Sequence, residues 1–338
     1  MTLNIVWYAL FIAIITGYVV LDGFDLGVGM LHPIVPRGDA ERRISLNSIG
    51  PVWDGNEVWL VVGGGVLFAV FPEVYATLFS GFYVPFMLVL AFLILRAVSI
   101  EFRSKRDSVR WRTWWDWVFG VASLLLALLL GVAFGDIARG VPIDATHTIR
   151  FDPVQLVQPY ALLVGVTAVA MLAQHGAIYL ALKTEGELQR RARGAADVLV
   201  AAFIVLVAAT GVATALSQPH LILWYRQVWP LIVPLAAVVA ILNVARENRR
   251  RNEAAAFASS CAGIALLLAS VGLGQFPAVL TSSLDGAYSL TIANSMSSQR
   301  TLTITLLIAA IGMPVVLAYT AGVYWLFRGK VRLGERSY

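Results

Sequence analysis

The sequence predicts an all-α integral membrane protein, and three observations carry that prediction. Of its 338 residues, 59% are hydrophobic and only 13% charged, against about 25% charged in a soluble domain. Nine apolar runs are each close to the length that crosses a hydrocarbon core of about 30 Å. They fall at 3–27, 52–71, 79–100, 116–135, 157–182, 195–216, 228–245, 255–275 and 302–327. Finally, the basic residues alternate between the links.

Links after odd-numbered runs hold Arg37, Arg42 and Arg43; Arg103, Lys105, Arg106, Arg110 and Arg112; Lys183, Arg190, Arg191 and Arg193; and Arg246 and Arg249 to Arg251. With Arg328, Lys330, Arg332 and Arg336 in the tail, that side carries twenty Lys and Arg. The opposite links carry four, Arg139, Arg150, Arg226 and Arg300, and Arg96 lies inside the third run. Cytoplasmic links are the basic ones, so the N-terminus is expected outside and the C-terminus in the cytoplasm. The net charge of +5 is then a topology signal, and no nucleic-acid partner is implied.

Taken in order, the first run has no Lys or Arg before Arg37 and no small-residue cleavage site, so it reads as a span rather than a cleaved signal peptide. Its far end, LDGFDLGVGM, is polar and glycine-rich. The second run begins GPVWDGNEVWLVVGGG and carries Asp54, Asn56 and Glu57 where Leu, Val or Ile would be ordinary. Tryptophans at 111, 114, 115, 117, 224 and 229, with Tyr324 and Trp325, mark span ends as an interfacial belt. The links are too short to fold separately, so residues 1–338 form one polytopic membrane domain. Cys261 alone excludes an intrachain disulfide framework or a cysteine metal cluster.

A carboxylate at the bilayer centre costs roughly 2.5–3.5 kcal/mol, so acids kept there are paired or used. Helix rise puts Asp22 roughly 28 Å along the first run and Arg96 roughly 25 Å along the third. Asp54 lies three residues past Pro51. All three estimates converge on the cytoplasmic third of the membrane. Asp22 and Asp25 share a helix face, as do Asp54 and Glu57. With Arg96 and Glu101 as charge partners they form an expected polar pocket. Its functional reading is a proton path; its structural reading is that Arg96 neutralises two acids. One arginine cannot balance four.

Gly23, Gly27 and Gly29 include a GxxxG spacing, read as close helix packing rather than as a phosphate loop. His175 is the only histidine inside a run. Met171, one turn away on the same helix, cannot complete a bis-axial haem with it. A neutral, hydrogen-bonded interhelical histidine is expected instead, with His32, His147 and His220 near span ends and facing water.

These residues carry a family resemblance. DGFDLGVGM, DAERRISLNSIGP, WDGNEVWL, FPEVYATLFSGFYVPFMLVL with Arg96 and EFRSK, then RWRTWWDWVFG, GVAFGDIARGVP, HGAIYLALKTEGEL and NSMSSQRTLTI resemble subunit II of the cytochrome bd-type quinol oxidases, whose cyanide-insensitive oxidases form one branch. The resemblance implies two four-helix bundles plus one peripheral helix, packed beside a haem-bearing subunit I in the bacterial plasma membrane. It implies that this chain binds no cofactor or metal and carries no catalytic residue of its own. Haem b and haem d, or a b-type substitute, would sit in subunit I, which oxidises quinol and reduces dioxygen to water. It further implies a proton path mapping to Asp22, Asp25 and Asp54 and an apolar oxygen route past Trp59; Glu57 joins the path by spacing alone. Some members hold a structural quinone in subunit II, and small single-helix subunits are further expected partners. The competing readings are a stand-alone proton-coupled transporter built on the same acids, and a haem protein through His175.

Overall fold

A computed structural model describes residues 1–149 and 157–334; Arg150 and Arg336, both counted in the charge alternation above, lie outside them. The long helices are α1 (Thr2–Leu31), α3 (Trp53–Val70), α5 (Tyr83–Arg103), α6 (Val109–Arg139), α7 (Pro159–Lys183), α8 (Gly186–Ser217), α10 (Ile232–Arg249), α11 (Glu253–Gln275) and α12 (Gln299–Leu326). Shorter helices α2 (Gly38–Ile49), α4 (Pro72–Gly81) and α9 (Pro219–Ile222) occupy links. Eight of the long helices are apolar and long enough to cross a membrane. The expected span not among them is α3, because its first two turns hold Asp54, Asn56 and Glu57. A two-stranded antiparallel hairpin, β1 (Ala278–Leu280) with β2 (Leu290–Thr291), departs from the all-α expectation.

Helices α1 and α7 form the centre, and α3, α6 and α11 pack on α1. Glycine permits this contact. A Cβ on Gly27 would stand 2.1 Å from the Leu172 carbonyl, and one on Gly176 would stand 2.3 Å from the Gly27 backbone. Backbones that close need small residues. Gly131 and Gly165 do the same between α6 and α7, where a Cβ on Gly131 would lie 2.9 Å from the Gly165 Cα. Gly63 abuts Ile15, whereas Gly64 and Gly65 meet nothing within 4 Å in this chain.

The hairpin and the 141–149 link close the end where α1 begins. Leu280, Leu290, Ile292, Val141 and Ile143 are buried there with Trp7 and Val70. Trp7 Nε1 donates to the Leu302 carbonyl at 3.0 Å, and Ser297 donates N–H and Oγ–H to the last carbonyls of α3 at 3.0 and 2.7 Å.

At the other end the structure gathers the basic links. Arg103 and Arg112 bind Asp39, Arg191 pairs with Glu41, and Arg193 with Glu253. The tail caps α7: Lys330 Nζ donates to the Ala181 carbonyl at 3.1 Å, and the Val331 N–H to Lys183 O at 2.8 Å. Links read from sequence as lying on one side are therefore joined by ion pairs. The expected boundaries shift there, since α6 begins at Val109 and α8 at Gly186, extending both helices past their apolar runs into this charged layer.

Candidate functional site

The expected acid pocket is assembled from the second half of α1, the first two turns of α3 and the middle of α5. Arg96 and Asp22 are both wholly buried. Arg96 Nη1 donates to Asp22 Oδ1 at 2.7 Å, and its Nη2 donates to Glu57 Oε2 at 2.9 Å. Glu57 is 23% exposed and forms the pocket's wetter side. The Trp53 ring stands 6.0 Å from the guanidinium carbon, within reach of a cation–π attraction.

Asp25 follows Asp22 by one turn and is also buried, but its bonded partner is an amide. Asn56 Nδ2 donates to Asp25 Oδ2 at 2.7 Å and to the Leu21 carbonyl at 3.2 Å, while Asn56 Oδ1 accepts from the Tyr324 hydroxyl at 2.8 Å. This chain joins α1, α3 and α12. Four buried atoms around it have no protein partner: Asp25 Oδ1, Asp22 Oδ2, Arg96 Nε and the Tyr18 hydroxyl. Buried polar atoms are normally satisfied by protein or ordered water, so this chemistry suits a hydrated pocket.

Two expected members stand apart. Asp54 is exposed on the first turn of α3, one turn before Glu57, and Glu101 is exposed near the end of α5. Asp54 and Glu57 lie one turn apart on α3, as their spacing requires. The face they share rotates from the pocket at Glu57 to the surface at Asp54. Trp59 is buried against Ile14 and Tyr18, and its ring fills the space at Gly17, where a Cβ would lie 2.6 Å from it.

A second buried network, not expected from the sequence, lies at the basic end. Asp116 is almost wholly buried and accepts from His32 Nε2 at 2.7 Å, Arg103 Nε at 2.6 Å and Arg42 Nη1 at 2.9 Å. It knits the end of α1 to α2, α5 and α6. His32 was expected to face water, yet it is fully buried. Burial pushes its imidazole below the ordinary range, against the pull of Asp116. A carboxylate only accepts, so Nε2 is the donor to Asp116, with Ser45 Oγ 3.3 Å from Nδ1. The available signal was Asp116 itself, an acid in the aromatic run RWRTWWDWVFG. His147 and His220 are partly buried rather than free in water; His220 Nε2 donates to the Ala138 carbonyl at 2.9 Å.

His175 is held as an interhelical histidine. Its Nε2 donates to the Val20 carbonyl at 3.0 Å, which leaves Nδ1 to accept from Ser260 Oγ at 2.8 Å. The ring stacks on Phe257 with centroids 4.9 Å apart. Neither nitrogen is left to bind iron.

Comparison with known proteins gives a concordant result. The sequence profile of "Cytochrome bd terminal oxidase subunit II" matches residues 3–327. The chain is 38% identical to cytochrome bd-I ubiquinol oxidase subunit 2 of Escherichia coli over 97% of its own length and 95% of that protein's. It is 37% identical to cytochrome bd ubiquinol oxidase subunit 2 of Bacillus subtilis, over 98% of this chain and 97% of the relative. A chain of the bd oxidase from Geobacillus thermodenitrificans shares the fold, with a TM-score of 0.72 over 97% of this chain and 99% of the other, at 18% identity.

Proposed function

The chain belongs to the cytochrome bd terminal oxidase subunit II family, and from that premise we propose that it is the non-haem subunit of a quinol:oxygen oxidoreductase that delivers protons through the Asp22–Asp25 pocket. Family membership favours this over a stand-alone transporter. The complex is a haem-bearing one with a partner subunit I. Haem held by that partner, of b and d type or a b-type substitute, would supply electron transfer and dioxygen reduction. This chain would stabilise the partner with nine spanning helices, α3 included, its N-terminus outside and its basic end in the cytoplasm.

The observation that carries the proposal is the division of labour around Arg96. The guanidinium bonds Asp22 and Glu57, leaving Asp25 to Asn56 with its second oxygen unpartnered. Three carboxyls beside one guanidinium in a buried site are an excess of acid over base, the composition of a proton relay. A carboxyl held by an amide can carry a proton on its second oxygen without breaking an ion pair, so Asp25 is the group that loads and unloads. Asp54, exposed one turn below Glu57, gathers protons from the cytoplasm; Glu57 and Asp22 pass them inward. Trp59 borders an apolar face of the same helix pair and lines the oxygen route.

The test is oxygen consumption by the purified two-subunit complex. Asp25→Asn should assemble with an unaltered haem spectrum and turn over roughly tenfold or more slowly, in the range of a lost proton-transfer group. Loss of haem or of the partner subunit would assign Asp25 a structural role instead.

A further inference from the structure

The crease between α10 and α11 forms an outward-facing groove of about 650 Å³, a size that holds a small ligand. Its walls are Ile232, Leu235 and Val239 from α10 and Ala258 and Ala262 from α11; Leu235 and Val239 are both well exposed. Asn243 and Ser259 close one end, with Nδ2 donating to Oγ at 2.8 Å. From Ile232 to Asn243 the helix rises about 16 Å, about half of a 30 Å hydrocarbon core. That length matches one leaflet.

Beyond Asn243 the same stripe of α10 continues through Arg246 to Arg250. Arg246 Nη1 lies 3.4 Å from Asn243 Oδ1, which puts its guanidinium at the polar mouth. Arg246 and Arg250 are each 60% exposed and share one carboxylate, Glu247, at 3.7 Å from both. Arg249 and Arg251 make no ion pair among the described residues. Arg246 and Arg250 thus share a single glutamate at the head of an apolar trough.

We infer that this groove binds an anionic phospholipid, one acyl chain in the α10–α11 crease and the headgroup phosphate on Arg246 and Arg250. The trough supplies apolar contact for any lipid chain, and the arginines select charge. Guanidinium groups match phosphate oxygens two at a time, and each basic residue near a membrane surface adds to attraction for anionic lipid. The site is remote from Asp25 in sequence and shares no residue with its pocket, so it stands whether or not the proton reading does.

Native mass spectrometry of the intact oxidase complex, exchanged into micelles containing phosphatidylglycerol or phosphatidylethanolamine, tests it. Wild type should retain one phosphatidylglycerol with a preference of about tenfold or more over the zwitterionic lipid. Arg246→Gln with Arg250→Gln should bring that preference close to unity. Ala262→Trp, which fills the trough, should abolish retention of both lipids, and the milder Ala258→Leu should do so in part, with the haem spectrum of the complex unchanged in each. No preference in wild type, or a preference surviving the paired arginine change, would overturn the site. So would an Ala262→Cys thiol, in a Cys261→Ser background, shielded from a lipid-soluble maleimide after delipidation, since a partner chain would then cover the groove.

Discussion

Arg96 Nη1 stands 2.7 Å from Asp22 Oδ1, and neither side chain is more than 1% exposed. Breaking a buried pair by removing one partner costs about 3–5 kcal/mol, because the survivor is an uncompensated charge. Arg96→Gln and Asp22→Asn should therefore each lower the thermal stability of the complex sharply. Removing both charges, as Arg96→Gln with Asp22→Asn, should recover much of the loss. A double-mutant cycle measures this; simple addition of the two single effects would show that the residues are not coupled.

Asp116 predicts a structural rather than a catalytic phenotype. Asp116→Ala leaves His32, Arg103 and Arg42 without their shared acceptor. The loss should be about 3–5 kcal/mol, read as poor recovery of the subunit with its partner. Whatever complex does assemble should turn over normally per haem. A specific turnover defect would place this network in the proton path.

Close packing of α1 on α7 predicts intolerance at one glycine and tolerance at another. Gly27→Ala forces a methyl into the Leu172 carbonyl and should cost about 1–3 kcal/mol or more. Gly194→Ala, at a position with nothing within 4 Å, should be neutral or slightly stabilising, as Ala is the better helix former. Thermal unfolding of the two variants side by side decides it.

Tyr324→Phe removes the donor to Asn56 Oδ1 and leaves a buried acceptor unsatisfied, worth about 1–3 kcal/mol. Because Asn56 in turn holds Asp25, turnover should fall while the haem spectrum holds. An effect on stability with no change in turnover would confine Tyr324 to packing.

Much of this was legible in the chain. Apolar runs and the alternation of Arg and Lys located the long helices, since length and charge are one-dimensional signals. Asp22, Asp54 and Arg96 share one depth by helix rise alone; the structure joins Asp22 to Arg96, but the second carboxylate on the guanidinium is Glu57, one turn beyond Asp54. Sequence spacing shows which residues share a face of one helix, but not how that face turns toward its neighbours. Asp54 and Glu101 consequently fell on the surface, and Asp25 took an amide partner instead of a cation. Tyr324 looked like an interfacial aromatic because its partner lies 268 positions away. His32 looked exposed because its cover comes from α2 and α6. The hairpin at 278–291 was hidden in a polar link whose strands are only three and two residues long.

Proton uptake by Asp25→Asn is the most direct test of the central claim. In vesicles holding the complex with a pH dye inside, a pulse of oxygen to the reduced enzyme should draw protons from the interior roughly tenfold or more slowly than in wild type. Asp54→Asn should slow uptake less, because other surface acids can replace an exposed collector. Uptake by Asp25→Asn at the wild-type rate, with turnover unchanged, would contradict a proton path through this pocket.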